Sequence, residues 1–210
     1  MTRKGLIGLL LLLVPLGILQ GRDGLTRIIR ICVVDDAENP VPRQVMAHAL
    51  ELAEQAYRDR FGVRVSWTYE GRSYLDPDEQ RQISDLKRRC GSGHDLGAVF
   101  TASEGPLESP RLHRMGRAYP AEGYFKIYTG PVCVHRLQLQ ERISAAFEHE
   151  FAHMWGASHE NEPGSLMYPT LGQSLTWSGE LEECIHSNLD RRWWREPEYE
   201  IPKTEHRNLQ

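Results

Sequence analysis

The sequence lacks an excess of charge of either sign. Lys and Arg together number 25 and Asp and Glu 29, so the formal net charge of the 210 residues is -4. This balance gives no reason to expect nucleic acid or an anionic surface as a partner. Internal repeats and long low-complexity tracts are also missing, which argues against solenoid and fibrous proteins. Hydrophobic residues make up 40% of the chain, enough for one globular domain with a sizeable core.

No apolar run reaches the roughly 20 residues that a membrane-spanning helix needs. The longest run, residues 6–19, follows Arg3 and Lys4 and is typical of the apolar core of a signal peptide. Residues 19–21, Leu-Gln-Gly, lack the small residue usual three positions before a cleavage site. Residues 1–21 are therefore interpreted as either a cleaved signal peptide or a retained membrane anchor, with a buried core helix as the less supported alternative. Both favoured interpretations predict export, as a secreted, periplasmic or outward-facing anchored protein. The membrane would be a partner only through this segment, if the segment is retained.

Cysteine is scarce, and no Cys-x-x-Cys pair occurs, which argues against a zinc site built from cysteines. An even number of cysteines behind an export signal favours disulfide bonds. Four cysteines allow three pairings, and four buried free thiols are the alternative. The four residues are Cys32, Cys90, Cys133 and Cys184.

Short apolar runs and amphipathic stretches alternate along residues 22–190, the predicted catalytic domain. Their order predicts an α/β layer arrangement with a mixed sheet. Strands are predicted at residues 28–34, 63–69, 96–101, 116–119 and 124–128. Helices are predicted at residues 42–60, 76–89, 141–155 and 176–189, and a loop at 103–113.

The sequence also predicts which residues of the helices are buried and which one is a cap. Val45, Ala49, Leu52 and Ala56 are expected on one face of the first helix. Thr176 is expected to be the N-cap of the last helix. The apolar positions of the third helix recur at helical spacing and should face the core; they are Ile143, Phe147, Phe151 and Met154.

The third helix also carries a candidate metal site. His149 and His153 are four residues apart, so their rings lie on one face and can both reach a metal ion about 2 Å from each nitrogen. Glu150 is rotated by about 100° around the axis and can approach a water at the metal without being a ligand. Gly156 permits the positive φ that ends a helix, after which His159 can return as a third ligand.

Residues 149–159 read H-E-x-x-H-x-x-G-x-x-H, and this pattern resembles the metzincin clan of zinc peptidases. Residues 165–169, Ser-Leu-Met-Tyr-Pro, resemble the Met-turn of the clan, in spacing and order similar to matrixins. The resemblance implies a twisted mixed sheet of about five strands with an antiparallel edge strand, an active-site helix, a Met-turn and a C-terminal helix. Met167 would then form an apolar floor beneath the metal, although simple core filling is the alternative.

The resemblance also implies substrate-binding residues. In the clan, the edge strand holds an extended substrate by main-chain hydrogen bonds, which is a general way to bind a peptide. The segment after the methionine would line the pocket for the residue that follows the cleaved bond. The residues concerned are Gly116, Arg117 and Ala118 on the edge strand, and Tyr168, Pro169 and Thr170 beside the Met-turn.

Taken together, the resemblance implies a zinc-dependent endopeptidase with one catalytic Zn²⁺, peptide or protein substrates, and Glu150 as general base. Two alternatives are a zinc-binding interaction module without turnover and an inhibitor or toxin-neutralising partner that merely keeps the fold. The presence of Glu150 argues against the module, because a structural zinc site has no use for that carboxylate.

Three further features of the sequence bear on metal content, latency and partners. Matrixins have a second, metal-stabilised loop rich in Asp, Gly and His, which is missing here, so no second metal is predicted. Residues 89–91, Arg-Cys-Gly, match part of the matrixin propeptide motif, but a buried or disulfide-bonded Cys90 is favoured. Trp193 and Trp194 lie in a charged tail, residues 191–210, and could bind a partner, although packing back onto the domain is favoured.

Overall fold

The computed structural model describes residues 27–104, 107–109, 112–113, 115–130, 137–169 and 176–194. The strands are β1 (Arg27–Asp36), β2 (Val63–Ser73), β3 (Leu96–Thr101), β4 (Leu107–Ser109), β5 (Leu112–His113), β6 (Gly116–Tyr119) and β7 (Tyr124–Tyr128). The helices are α1 (Arg43–Phe61), α2 (Glu79–Cys90), α3 (Leu137–Met154) and α4 (Gly179–Ser187). The predicted signal or anchor segment lies outside the described residues. Among the described helices, none has the length and apolar character to cross a membrane.

Five strands form one mixed sheet in the order β2-β1-β3-β7-β6. The first four strands run parallel, and β6 runs antiparallel to β7 at one edge. This confirms the predicted five-stranded mixed sheet with an antiparallel edge strand. The parallel order follows from helical crossovers, since α1 connects β1 to β2 and α2 connects β2 to β3.

Helices cover both faces of the sheet, and the alternation of side chains along β1 shows how. Ile29, Ile31 and Val33 belong to the larger core, which contains residues of α1, α3 and α4. Cys32 and Val34 point the other way, into a smaller core formed with α2. The predicted apolar face of α3 is confirmed, because its four residues are fully buried: Ile143, Phe147, Phe151 and Met154.

The buried face of α1 differs in part from the prediction. Val45 and Ala49 are buried as expected, but Leu52 is 37% exposed. Met46 and Leu50 are buried instead. The apolar residues of α1 cover a broad arc of the helix, within which two overlapping faces could be buried. Contact with the sheet and α3 determines which of the two faces is buried.

The boundaries of α4 and α2 also differ from the prediction. The expectation that Thr176 caps α4 was wrong: Ser178 is the N-cap, and its Oγ accepts a hydrogen bond from the amide of Leu181 at 3.0 Å. Thr176 instead forms a β-bridge with Ser165, which uses the backbone that a cap would need. Helix α2 begins three residues later than predicted because Asp78 is its N-cap.

The structure contains more strand than was predicted at two places. Strand β2 continues to Ser73, four residues beyond the predicted end at Tyr69. The added residues are mostly polar, so the apolar alternation stops while pairing with β1 continues through a register shift. The segment predicted as the loop 103–113 contains a short antiparallel pair, β4 with β5.

One disulfide bond links the two layers on the α2 face of the sheet. Cys32 of β1 is bonded to Cys90 at the end of α2, with the two Cα atoms 5.7 Å apart. Cys184 is a free, half-buried thiol, so the expected pairing of all four cysteines is not seen for this residue. Cys133 lies outside the described residues.

The tryptophan pair packs back onto the domain, as expected. The ring of Trp193 lies edge-on to that of Trp155, with centroids 5.1 Å apart, and its Nε1 donates to the carbonyl of Met154 at 3.0 Å. The Nε1 of Trp194 donates to the carbonyl of Glu122 at 2.7 Å. Residues 195–210 of the predicted tail lie outside the described residues.

We expect the double substitution Cys32→Ala and Cys90→Ala to lower the free energy of unfolding by about 4 kcal/mol, because the bond closes a long loop in the unfolded chain. Urea unfolding monitored by circular dichroism measures the change. Cys184→Ala is the matched control and should change stability far less. Reducing agent should destabilise the parent and leave the double variant unchanged. An unchanged parent under reduction would contradict the prediction.

Candidate metal centre

The end of α3 is shaped by Gly156. The helix ends at Met154, and Gly156 has a φ of 99°, a conformation that residues with a Cβ rarely adopt. The amide of Gly156 donates to the carbonyl of His153 at 2.9 Å, and that of Ala157 to Ala152 at 3.2 Å. These bonds turn the chain back, so that His159 returns to the helix as the spacing predicted.

The structure brings the three predicted histidines together. The Nε2 atoms of His149 and His153 are 3.1 Å apart, and each lies 3.2 Å from the Nε2 of His159. Three nitrogens bound to one tetrahedral zinc ion at 2.0–2.1 Å stand about 3.3 Å from one another. The cluster therefore fits one zinc ion. Among the described residues, it is the one group of three or more His, Cys, Asp or Glu with such spacing.

Backbone carbonyls orient two of the three rings. The Nδ1 of His149 lies 2.6 Å from the carbonyl oxygen of Leu166, and the Nδ1 of His153 lies 2.7 Å from that of Ala157. A carbonyl oxygen can only accept, so each Nδ1 carries the proton. Each Nε2 then keeps its lone pair for a metal ion.

Burial also keeps these rings neutral. It lowers the pKa of His149 to about 4, against the opposing effect of the Leu166 carbonyl, and the two neighbouring histidines lower it further. Burial lowers the pKa of His153 as well. Because metal binding requires a neutral imidazole, the site needs little proton release at neutral pH. His159 is exposed, so the cluster opens to solvent on its side.

Glu150 lies outside the group of three histidines, and its role as general base stays a prediction. Its side chain is only 6% exposed and packs against the first residue of β6. A Cβ built on Gly116 would stand 2.4 Å from both Cγ and Oε1 of Glu150. The carboxylate of the predicted base is thus in close contact with the predicted substrate-binding strand.

The segment that contains Met167 is bound to the histidine cluster through its main chain. Met167 is fully buried in the larger core. The residue before it, Leu166, supplies the carbonyl that orients His149. The carbonyl of Met167 accepts from the amide of Glu160 at 2.9 Å, directly after the third histidine. The role of Met167 as an apolar floor stays a prediction.

The predicted substrate-binding residues are only partly described. Gly116, Arg117 and Ala118 lie on the edge strand β6, where Gly116 is buried and Arg117 is exposed. The Nη1 of Arg117 lies 3.8 Å from an oxygen of Glu79. Tyr168 is half-buried and Pro169 exposed. Thr170 lies outside the described residues, and the substrate-binding role of all six residues stays a prediction.

Sequence reasoning missed Glu160, whose carboxylate connects three parts of the site. One oxygen accepts a hydrogen bond from Ser165, and the other accepts from Ser178, the N-cap of α4. The hydroxyl of Ser165 in turn accepts from the amide of Met167 at 3.0 Å. A glutamate after the third histidine has no recognisable pattern, because its partners lie 5 and 18 residues further along the chain. The orienting carbonyls have no sequence signal either.

No protein-family model matches this chain, and no curated protein matches it. Several solved structures do. The chain is similar to an archaemetzincin from Methanopyrus kandleri, with a TM-score of 0.60 and 18% identity over 85% of this chain and 100% of that one. It is also similar to a zinc-dependent peptidase from Methanocorpusculum labreanum, with a TM-score of 0.51 and 20% identity over 74% and 99% of the two chains.

A third similar structure is metalloproteinase-II from Bacteroides fragilis, with a TM-score of 0.56 and 12% identity. The match covers 77% of this chain and 53% of that one. At such identities the likeness establishes the fold, which is of the archaemetzincin type. The more specific similarity to matrixins rests on the sequence motif alone.

We expect the purified protein to bind one zinc ion per chain and the variant His153→Ala to retain less than about a tenth of it, because two ligands hold zinc far more weakly than three. Elemental analysis after dialysis measures the metal content. His48→Ala removes a histidine of α1 outside the cluster and should keep a full equivalent. Full zinc content in His153→Ala would contradict the assignment of the site.

Proposed function

We propose that this protein is a zinc-dependent endopeptidase. The observation that carries the proposal is the cluster of three histidine nitrogens 3.1–3.2 Å apart, next to a buried glutamate at the edge of the sheet. The fold likeness supports it, because one similar structure is described as a zinc-dependent peptidase and another as a metalloproteinase.

The donor set favours a catalytic over a structural zinc site. Structural sites are usually closed by four protein ligands, whereas catalytic sites have three and leave one position open. The described part of the chain offers three ligands, one of them exposed. When bound, zinc would supply a Lewis acid for the scissile carbonyl and lower the pKa of a water molecule.

Glu150 is the proposed general base. It follows His149 on α3 and lies outside the group of three histidines, which supports a role as base rather than as ligand. In this position it can accept a proton from the attacking water and pass it to the leaving amine. The reaction then needs no covalent intermediate, since water is the nucleophile.

Strand β6 is the proposed binding site for the peptide. It is the antiparallel edge strand, and β7 occupies its other side. An extended substrate can add to such an edge by main-chain hydrogen bonds. Arg117 and Ala118 would lie along it, and Tyr168, Pro169 and Thr170 would line the pocket for the residue after the cleaved bond.

Export of the protein is part of the proposal. The apolar run at residues 6–19 is typical of a signal peptide or anchor. The Cys32–Cys90 disulfide supports an oxidising compartment, because such bonds are rare in a reducing cytosol.

The substitution Glu150→Gln separates an enzyme from a zinc-binding module. Glutamine keeps the size of the side chain but removes its basicity. Zinc content should stay at one equivalent because the histidines are untouched. Turnover of a quenched-peptide library should fall by about 10² to 10⁴, the usual contribution of a positioned acid–base group.

The control for this experiment is Glu51→Gln, an exposed glutamate of α1, which should leave turnover unchanged. Both measurements are made on the same samples, and a chelator should abolish the activity of the parent. A Glu150→Gln variant that holds zinc and cleaves at the parental rate would refute the mechanism. A parent that binds zinc but cleaves nothing would favour the module.

A further inference from the structure

Gly116 has no conformational reason to be glycine. Its φ does not lie in the left-handed region, unlike that of seven other described glycines. It pairs regularly with Ile127 in the ladder between β6 and β7. Glycine weakens a strand because it lacks a side chain to pack, so a glycine in a paired strand position often marks a close approach of another group.

The group that approaches Gly116 is the carboxylate end of Glu150. A Cβ on Gly116 would stand 2.4 Å from Cγ, 2.4 Å from Oε1 and 2.7 Å from Cδ of that side chain. Ordinary contacts between such atoms begin near 3.5 Å. Ala118, which follows on the same face of the strand, does carry a Cβ, so small size is required at one point rather than along the whole strand.

We infer that Gly116 is a positioning residue: its missing side chain allows the Glu150 carboxylate to lie directly against the strand that binds substrate. The catalytic consequence of this inference rests on the proposed function. The steric contact between Gly116 and Glu150 is independent of that function. A methyl group at position 116 would push the carboxylate away from β6. Because Glu150 is buried, it has little free space in which to move without disturbing its neighbours.

Because of this contact, the positions of the base and of the bound peptide are both set by the backbone of β6. A peptide bonded along the edge of β6 is placed relative to the backbone at residues 116–118. Glu150 touches the same backbone at Gly116. The distance between the base and the bound peptide is then set across one strand rather than through several loops. Gly116 thereby acts on catalysis through Glu150, without contact to the reacting atoms.

The first test is Gly116→Ala. We expect kcat to fall by about 10- to 100-fold, since a displacement of about 1 Å can have an effect of that size. KM should change less than about threefold and zinc should stay at one equivalent. Gly93→Ala is the matched control, because this glycine has no atom within 4 Å of an added Cβ and no positive φ. Full activity in Gly116→Ala would overturn the inference.

The second test asks whether the effect passes through Glu150. In the Glu150→Gln background the base is already lost, so adding Gly116→Ala should lower the residual rate by less than about threefold. If the two losses multiply instead, Gly116 acts by another route and the positioning role is wrong.

The third test needs no activity and no metal. In the zinc-free protein, Gly116→Ala should lower the melting temperature, whereas in the Glu150→Ala background, where the clashing atoms are gone, the same change should not. If the Gly116→Ala protein is too unstable to purify, the double variant Gly116→Ala, Glu150→Ala should still fold, and the comparison can still be made. Equal destabilisation in both backgrounds would refute the inference. A coupled pair in a protein without peptidase activity would refute only the proposed function.

Discussion

The hydrogen bond from His149 to the carbonyl of Leu166 is the contact on which the site depends most. It joins the middle of α3 to the turn before Met167, a sequence separation of 17 residues. It fixes the tautomer of the ring and its direction, and burial keeps the ring neutral. The same turn is bound to the loop after His159 by the carboxylate of Glu160. Backbone carbonyls therefore orient the rings of His149 and His153, and Glu160 connects the main chain after His159 to the same turn.

The sequence motif predicted the cluster of three histidines, but it did not predict the backbone groups that orient them. His149, His153 and His159 are brought together as their spacing indicated, and Gly156 has the predicted positive φ. Helical periodicity and ligand spacing are local properties, which is why they can be read from the sequence. The carbonyls of Leu166 and Ala157 and the contact of Gly116 could not be read, because they depend on which backbone atoms the fold brings close.

The errors in the predicted fold arise for the same reason, because they too concern contacts between distant parts of the chain. The sheet was predicted in outline because buried strands are short apolar runs between helices. The end of β2 was placed too early, since an edge strand can remain paired after its apolar pattern stops. Thr176 and Ser178 can both cap a helix, and Ser178 does so while Thr176 forms a β-bridge with Ser165. Tertiary contacts thus add to local preferences that the sequence alone leaves open.

The contact between the two ends of the described fold has a consequence for biosynthesis. Arg27, the first residue of β1, donates to the carbonyl of Arg191, and its guanidinium lies over the rings of Trp155 and Trp193. A ribosome makes β1 long before it makes Trp193, which bonds to the end of α3 at Met154. The helix that carries the histidines therefore gains its last partner only after translation has passed all three of them. A contact across so long a sequence separation has a large entropy cost of loop closure, which slows folding in general.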